Sequence, residues 1–190
     1  MSPQDQKDRL QQVASTLTAA AQSIFLQSGK LTLTQDPESV EKDIIEYDSR
    51  LRVGGMEKFN DACYLSIVSF YFSQQQLEGH DPCGVLMLFI EESAAEKILK
   101  GLGFPVAGEN EDEILKDSTG KFCLQVAQAL QGQLANLGYR NLVLSPVQNF
   151  KNDAGDGVEF PYQEYKFYEV SFFLWKKKQV VFNILFSTPT

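Results

Sequence analysis

Among the side chains that could carry out acid–base chemistry or bind a metal, few stand at the spacing that such a site requires. His80 is the only histidine, and it stands close to Glu78 and Asp81 in a polar stretch. A metal site or a general base would need further partners at close spacing, and the sequence offers none. We therefore interpret His80 as a solvated loop residue, and we predict neither a bound metal nor a cofactor.

The cysteines are an odd and sparse set without the spacing of a redox or metal-binding motif. A hairpin that turns near Gly79 would place Cys83 opposite a residue near Ser73, so Cys63 would lie too far along its strand for a disulfide. We therefore predict that Cys63, Cys83 and Cys123 are buried thiols, as is typical of cytoplasmic proteins.

A run of carboxylates stands at the start of a long helical pattern. Acidic side chains near a helix N-terminus stabilise the helix by about 0.3–1 kcal/mol each. The run also lacks the alternating spacing of a calcium-binding loop. It therefore indicates a helix start rather than a divalent-metal site at its members, Glu109, Glu111, Asp112, Glu113 and Asp117.

The helix itself is predicted to begin after Asn110, three residues before Glu113, and to end near residues 137–138. At 100° per residue, its core face collects Leu115, Thr119, Phe122, Val126, Leu130, Gln133 and Leu137. The opposite face collects a stripe that is predicted to be exposed, namely Asp117, Lys121, Leu124 and Gln128.

Gln125 and Gln128 stand three residues apart on this helix. A glutamine amide can orient a water molecule for attack on phosphorus, as it does in some GTP-hydrolysing proteins. Because no carboxylate or metal ligand accompanies the pair, we interpret both residues as part of a solvated helix face.

Further helices and a hairpin are predicted before this long helix. Ser2 and Pro3 favour a helix start and Gly29 a helix stop, so a leading helix is predicted over residues 3–28. Runs rich in β-forming residues at 62–73 and 83–91 flank a polar loop and predict a hairpin. A capping box made by Ser93 and Glu96 predicts a short helix that ends at 101–103.

Strands predominate after the long helix. They are predicted at 142–150, 160–175 and 179–186, with a loop at 151–158 and a solvated turn at Lys176, Lys177 and Lys178. In residues 30–61 short strands are predicted at 31–34 and 44–53. Hairpins imply antiparallel pairing, and long helices must bury one face on the sheet. The predicted fold class is α+β, a two-layer sandwich of an antiparallel sheet packed against long helices, in one domain spanning residues 1–190.

The overall charge is acidic, with a net charge of −8 and a pI near 4.7. Nucleic-acid binding requires basic surfaces, so this class of partner is disfavoured. No stretch approaches the roughly 20 apolar residues of a membrane span. The first residues also lack the basic start and apolar run of a secretory signal. We predict a cytoplasmic protein that binds neither nucleic acid nor membranes.

Residues 62–186 resemble the CheC/CheX/FliY group of bacterial chemotaxis proteins, and the leading helix agrees by its placement. Residues 84–99 are similar to the group's strand and short helix, and residues 117–139 to its motif helix and the turn that ends it. The group's motif is Asp or Ser, then Glu four residues on, Asn three further and Pro twenty-two further. Asp117 and Pro146 match the first and last positions, whereas Lys121 and Leu124 stand at the Glu and Asn positions.

The resemblance implies a phosphatase mechanism that these two residues do not support. In the group, the Asn places the water that attacks a response regulator's aspartyl phosphate, and the Glu pairs with the regulator's lysine. The side chain of Leu124 has no hydrogen-bonding group with which to position water. Lys121 would set one cation against another, which costs up to several kcal/mol at an interface.

The function predicted from these residues is a CheX-like, non-catalytic binding or scaffold module in bacterial chemotaxis or two-component signalling. Its binding residues would be Asp117, Lys121, Leu124, Gln125 and Gln128, and its partner a CheY-like receiver domain. The resemblance also implies a homodimer, which exposed aromatic strands at 160–186 would suit. One alternative is a diverged phosphatase that uses Gln125 and Gln128. Another is reuse of the fold outside chemotaxis.

Overall fold

The computed structural model describes residues 3–43, 46–47, 50–54, 58–152, 157–161 and 166–189. Its elements, in chain order, are α1 (Pro3–Ser28), β1 (Glu38–Asp43), β2 (Glu46–Tyr47), β3 (Arg50–Gly54), β4 (Cys63–Tyr71), α2 (Gln74–Glu78), β5 (Gly84–Glu91), α3 (Glu92–Gly101), α4 (Glu111–Leu134), a 3-10 helix (Ala135–Leu137), β6 (Val143–Leu144), β7 (Gln148–Asn152), β8 (Gly157–Pro161), β9 (Lys166–Leu174) and β10 (Lys177–Phe186).

Seven strands form one antiparallel sheet in the order β1-β9-β10-β5-β4, with β6 and β7 both paired to the outer side of β4. Strands β2, β3 and β8 form a separate antiparallel sheet. Helices α1, α3 and α4 share a hydrophobic core with one face of the larger sheet. The predicted α+β sandwich of an antiparallel sheet and long helices is therefore confirmed. That all 190 residues form one domain stays a prediction.

The predicted hairpin at 62–91 is confirmed as β4 and β5, which pair from Cys63 opposite Glu91 to Phe70 opposite Gly84. Side chains of a strand point alternately to the two faces of the sheet. On β5, Leu86, Leu88 and Ile90 join the core under the helices, while Val85, Met87 and Phe89 join a second apolar cluster on the opposite face. Because both faces are buried, β5 is a continuous apolar run.

The strand predicted at 160–175 is wrong as a single element. Its first part belongs to β8 in the small sheet, and its last part to β9 in the large one. β9 and β10 form the predicted hairpin, with Trp175 and Lys176 in its turn at φ 49° and 66°. Both strands lie between β1 and β5, and most of their aromatic rings are buried. The predicted exposure of these aromatic strands is therefore also wrong.

Residues 30–61 differ most from the prediction. The strand predicted at 31–34 is reduced to one bridge between Leu33 and Leu174. The edge strand β1 was missed because its sequence, Glu-Ser-Val-Glu-Lys-Asp, has no apolar alternation. β2 lies within the predicted 44–53 and β3 extends one residue beyond it, to Gly54, while Ile44 and Ile45 lie outside the described residues.

Two of the three predicted helix starts can be compared with the structure. Asn110 caps α4 as predicted, since its side chain accepts a hydrogen bond from the backbone N–H of Glu113 at 3.4 Å. The capping box at Ser93 is wrong, because the N-cap of α3 is Glu91, two residues earlier, and Glu91 makes no side-chain capping bond. α1 follows the prediction from Pro3 to Ser28, while Ser2 lies outside the described residues.

The strand predicted at 142–150 is interrupted. Pro146 has no backbone N–H to donate to a strand ladder, and it separates β6 from β7. The neighbouring Ser145 maintains the link to β4 through its hydroxyl oxygen, which accepts a hydrogen bond from the backbone N–H of Ser69 at 2.9 Å. Both ends of the loop predicted at 151–158 belong to strands instead, since β7 extends to Asn152 and β8 begins at Gly157; residues 153–156 lie outside the described residues.

Candidate functional site

The exposed side of α4 carries the residues that the sequence singled out. We call Asp117, Lys121, Leu124, Gln125 and Gln128 the α4 stripe. Four of them are exposed, and Leu124 is half-buried. Phe122 and Val126 are fully buried on the opposite side of the helix. The helical wheel thus predicted the placement of the stripe, because every residue turns the side-chain direction by 100°.

The buried side of α4 follows the prediction in its first three turns and departs from it near its end. Leu115, Thr119, Phe122, Val126 and Leu130 are buried as predicted. Gln133 is exposed and Leu137 half-buried, which corrects their assignment to the core face. The last turns of the helix bury Ala127, Leu130 and Leu134 instead, so the buried arc has rotated away from Gln133.

The two charged residues of the α4 stripe neutralise each other. The Nζ atom of Lys121 lies 2.6 Å from Oδ2 of Asp117, one helical turn away. Both side chains are more than half exposed, at 53% and 61%. Such a surface pair contributes about 0.3–0.5 kcal/mol at most. The stripe therefore carries no net charge, and its carboxylate is already occupied by a cation.

The side chain of Leu124 is partly exposed to solvent and partly packed against the protein. It is half-buried, and its side chain packs against the main hydrophobic core. The sequence predicted that Leu124 is exposed with the rest of the stripe. That prediction is wrong, because the wheel angle places Leu124 on the side of the stripe facing Gly120, where the sheet approaches the helix.

Gly120 marks that close approach. A β-carbon at this position would collide with the side-chain amide of Asn149, on β7. The Oδ1 atom of Asn149 accepts a hydrogen bond from the hydroxyl of Ser66 on β4 at 2.8 Å. Pro146, the last motif position, is exposed between β6 and β7 on the same edge of the sheet. The structure thus brings the helix, the amide of Asn149 and the proline-bearing edge together.

The first turn of α4 is fixed to the sheet by a polar cluster that the sequence did not reveal. We call Tyr64, Glu92, Asp112 and Lys151 the α4 anchor. The hydroxyl of Tyr64 donates to Oδ1 of Asp112 at 2.7 Å. Lys151 lies 3.0 Å from the same oxygen and 2.6 Å from Oε1 of Glu92. Its four members come from β4, α3, α4 and β7, so only tertiary structure could assemble them.

The anchor shifts the acidity of three of its members. Burial, and then the hydrogen bond to Asp112, raise the pKa of Tyr64. Hydrogen bonds from Tyr64 and Lys151 hold the pKa of Asp112 below its ordinary value. Hydrogen bonds to Glu92 and Asp112 raise the pKa of Lys151. Around neutral pH all three groups keep their ordinary charges, which fits a structural role for the anchor.

A buried ion pair lies on the other face of the sheet. Glu169, on β9, pairs with Lys58 and also with Lys42, whose Nζ lies 2.9 Å from Oε1. Burial alone would raise the pKa of Glu169, but the hydrogen bonds and charges of the two lysines outweigh burial and lower it. Because this face lies opposite to α4, the pair cannot act together with the α4 stripe.

The remaining candidates give no reactive site. His80 is exposed in the turn after α2. Cys63, Cys83 and Cys123 are buried free thiols, as predicted, and burial raises the pKa of Cys63 and Cys83 to about 12. Their thiolates are therefore scarce at neutral pH. Within the described part of the chain, no group of His, Cys, Asp and Glu is arranged to hold a metal ion, and no helix is long and apolar enough to cross a membrane.

Comparison by sequence finds no match, either among protein-family models or among curated proteins. Comparison by structure finds clear similarity. CheX of Desulfovibrio desulfuricans has a TM-score of 0.59 at 12% identity, over 93% of this chain and 99% of that one. FliY of Thermotoga maritima has a TM-score of 0.56 at 14% identity, over 98% and 91%.

A third similar structure is a complex of CheX with CheY, beryllium fluoride and magnesium from Borrelia burgdorferi. Its TM-score is 0.54 at 15% identity, over 92% of this chain and 97% of that one. All three similarities extend over nearly the whole of both chains. At such identities they establish the architecture rather than the chemistry. This chain has the fold of the CheX, CheC-like and FliY chemotaxis proteins.

Proposed function

We propose that this protein is a non-catalytic binding or scaffold module that docks a CheY-like receiver domain through the α4 stripe. The observation that carries the proposal is the stripe itself, which is exposed on a CheX-like fold and presents Lys121 and Leu124 at the positions of the group's Glu and Asn. The solved complex of CheX with CheY supports the choice of partner.

The chemistry of the stripe argues against hydrolysis. Attack on an aspartyl phosphate requires a water held in line with phosphorus. Leu124 has no donor or acceptor with which to hold that water. Asp117 has a carboxylate, but the ammonium of Lys121 lies 2.6 Å from it. A docked receiver would therefore lose its phosphoryl group only at the rate of its own spontaneous hydrolysis.

The same stripe is suited to binding. It has no net charge, a partly exposed leucine and two exposed amides, Gln125 and Gln128. Apolar contact supplies affinity, while amides accept or donate hydrogen bonds without the desolvation cost of charges. Because these contacts supply the binding, a surface of this kind can bind a partner without catalytic groups.

The test is a pair of measurements on a CheY-like receiver from the same cell. The first compares the rate of phosphate loss from the phosphorylated receiver with and without this protein, and no acceleration is expected. The second measures binding of the receiver activated with beryllium fluoride and Mg²⁺ by calorimetry. Acceleration by the wild type would overturn the non-catalytic proposal, and absence of binding would overturn the choice of partner.

A matched pair of variants locates the binding surface. Gln125→Arg with Gln128→Arg changes the stripe, whereas Gln11→Arg with Gln12→Arg makes the same change at two exposed positions of α1. Both variants gain the same charge. We expect the stripe variant to bind the receiver at least tenfold more weakly than the α1 variant. Equal affinities would place the receiver elsewhere on the protein.

The diverged phosphatase remains the second candidate because Gln125 and Gln128 are both exposed on the stripe. If the wild type did accelerate phosphate loss, the variant Gln125→Ala with Gln128→Ala would lose the acceleration. Receiver, kinase or flagellar genes next to this gene would favour a signalling role over reuse of the fold in another process.

We further propose a cytoplasmic homodimer. Because β9 and β10 are interior strands, sheet extension would use β1 or the β6–β7 edge instead. Light scattering at micromolar concentration checks this directly, and a monomeric mass would contradict it. A dimer that pairs through β1 would leave the α4 stripe free, since β1 is at the opposite edge of the sheet from β7, which adjoins α4 at Gly120.

A further inference from the structure

Lysines fall into two groups in this structure. The sequence contains thirteen of them, and seven form ion pairs with carboxylates: Lys7, Lys42, Lys58, Lys116, Lys121, Lys151 and Lys166. The other six have no carboxylate partner among the residues that the structure describes, namely Lys30, Lys97, Lys100, Lys176, Lys177 and Lys178. Five of these six side chains are exposed, and Lys178 is half-buried.

The six unpaired lysines lie on segments that meet at one end of the fold. Leu31, next to Lys30, packs against Gly101, next to Lys100. The hydroxyl of Thr34 accepts a hydrogen bond from the backbone N–H of Lys176 at 3.1 Å. The segment after α1 therefore links the C-terminus of α3 to the β9–β10 turn. We call these six lysines together with Trp175 the lysine end.

Trp175 stands in the middle of the lysine end. It is the only tryptophan of the protein, and 37% of its surface is exposed. The Nζ atom of Lys97 lies 3.7 Å from the centre of its ring, a cation–π contact that joins α3 to the β9–β10 turn. Trp is among the residues that most often carry the binding energy of protein interfaces. A partly exposed Trp that contacts one lysine and is followed in sequence by three more therefore has the composition of a docking surface.

The concentration of positive charge is opposite to that of the chain as a whole. The net charge is −8, so the surface outside the lysine end is correspondingly more acidic. Lysines on adjoining segments without carboxylate partners raise the local positive potential, which an anionic partner would neutralise. The paired lysines elsewhere show that carboxylates are abundant enough in this sequence to have partnered these six as well.

We propose that the lysine end binds an acidic segment of a protein partner. It contains lysines without arginine, whereas phosphate groups are most often recognised by the bidentate fork of arginine. Its extent is also limited, because Glu96 directly precedes Lys97 and α3 itself begins at Glu92, directly after Glu91. A nucleic acid or a lipid surface would extend over these carboxylates. A short acidic segment contacts the lysines and the indole alone.

This surface is separate from the α4 stripe and does not depend on the proposed receiver docking. The stripe lies on the exposed side of α4, and the lysine end is formed by α3, the segment after α1 and the β9–β10 turn. The protein would then hold two partners at once, which is what a scaffold requires. Failure of one surface to bind leaves the other unaffected, so the two proposals are tested independently.

The fluorescence of Trp175 provides the test, because no other tryptophan contributes to the signal. The probe is a ten-residue peptide of Asp, Glu and Ser without aromatic residues, titrated into the protein of residues 1–190 at low salt. We expect a saturable change in Trp175 emission that weakens as salt screens the charges. Vesicles that contain phosphatidylserine and a single-stranded oligonucleotide are titrated in the same way, and weaker binding of both is expected.

Two variants with equal changes in net charge complete the experiment. Lys100→Gln, Lys176→Gln and Lys177→Gln together remove three exposed lysines of the lysine end while leaving Lys97 against the indole. Lys7→Gln, Lys116→Gln and Lys166→Gln together remove three paired lysines elsewhere. We expect the first variant to bind the peptide about tenfold more weakly and the second to bind it as the wild type does. No saturable signal, an equal loss in both variants, or tighter binding of vesicles or oligonucleotide would overturn the proposal.

Discussion

The two sides of α4 differ in what their side chains contact. On the buried side, Phe122 touches rings from three other segments, with ring centres 5.6 Å from Phe25, 6.2 Å from Phe104 and 6.0 Å from Phe182. On the exposed side, Lys121 contacts Asp117 of the same helix. The first side therefore depends on the whole fold, and the second depends on little beyond the helix.

This difference explains how a fold can persist while its chemistry changes. Substitutions on the buried side disturb α1, the sheet and the loop before α4 together. Substitutions on the stripe disturb one ion pair and part of one leucine. On such a stripe the Glu position can change at little cost in stability and the Asn position at a moderate cost, so the CheX-like architecture alone does not predict phosphatase activity.

The largest expected effect is on the buried side. Phe122→Ala removes a fully buried ring and leaves a cavity between α4, α1 and the sheet, so we expect a loss of about 3–5 kcal/mol in the free energy of unfolding. Urea denaturation followed by circular dichroism measures it. A loss below 1 kcal/mol would mean that the core collapses around the gap and that the two sides of α4 differ less than the structure indicates.

The next effect is at Leu124, where the two sides meet. Leu124→Asn exchanges a side chain that packs against the core for a polar one, so we expect a cost of about 1–2 kcal/mol, more than an exposed site would show. Combined with Lys121→Glu, the change restores the group's Glu and Asn, and some acceleration of receiver dephosphorylation is expected. The control is Lys121→Glu alone, which still lacks the amide and should remain inactive.

Tyr64→Phe tests the α4 anchor, and its expected effect on stability lies between those of the buried side and of the stripe. Loss of the hydrogen bond from Tyr64 to Asp112 should cost about 1 kcal/mol at neutral pH. The pKa of Tyr64 is raised above its ordinary 10.0 in the folded protein, so the unfolded chain ionises first as pH rises. The stability that the Tyr64 hydroxyl adds to the wild type is therefore lost above about pH 10. The Phe variant lacks the hydroxyl, so its stability does not fall for this reason. The unfolding midpoints of the two proteins should differ at pH 7 and converge above pH 10. A difference that stays constant with pH would contradict the role of the hydroxyl.

The smallest effect is expected on the stripe. Lys121→Ala removes a solvated ion pair with Asp117, and we expect a cost below about 0.5 kcal/mol that vanishes in high salt. Thermal unfolding at low and high salt measures it. A loss above 1 kcal/mol would show that Lys121 supports the fold, in which case the stripe would not be a freely variable surface.

The sequence predicted elements wherever a periodic apolar pattern was long. Helix α4, its cap at Asn110 and the burial of Phe122 and Val126 all follow from residue type and a 100° step. The hairpin of β4 and β5 follows from two β-rich runs and a polar loop. By contrast, β1 is a polar edge strand whose pairing with β9 gives no local signal. One continuous strand is predicted across Pro146 because apolar residues lie on both sides of the Ser145–Pro146 pair.

The sequence by itself determined the face of α4 that is exposed and the absence of Glu and Asn from its motif positions, because both depend only on neighbouring residues. Tertiary structure alone decided that Leu124 is half-buried, that Tyr64, Glu92, Asp112 and Lys151 form one anchor, and that six lysines share one end. These features join residues up to about 150 positions apart in the chain. No local pattern encodes such contacts, since they arise only when the sheet and helices pack together.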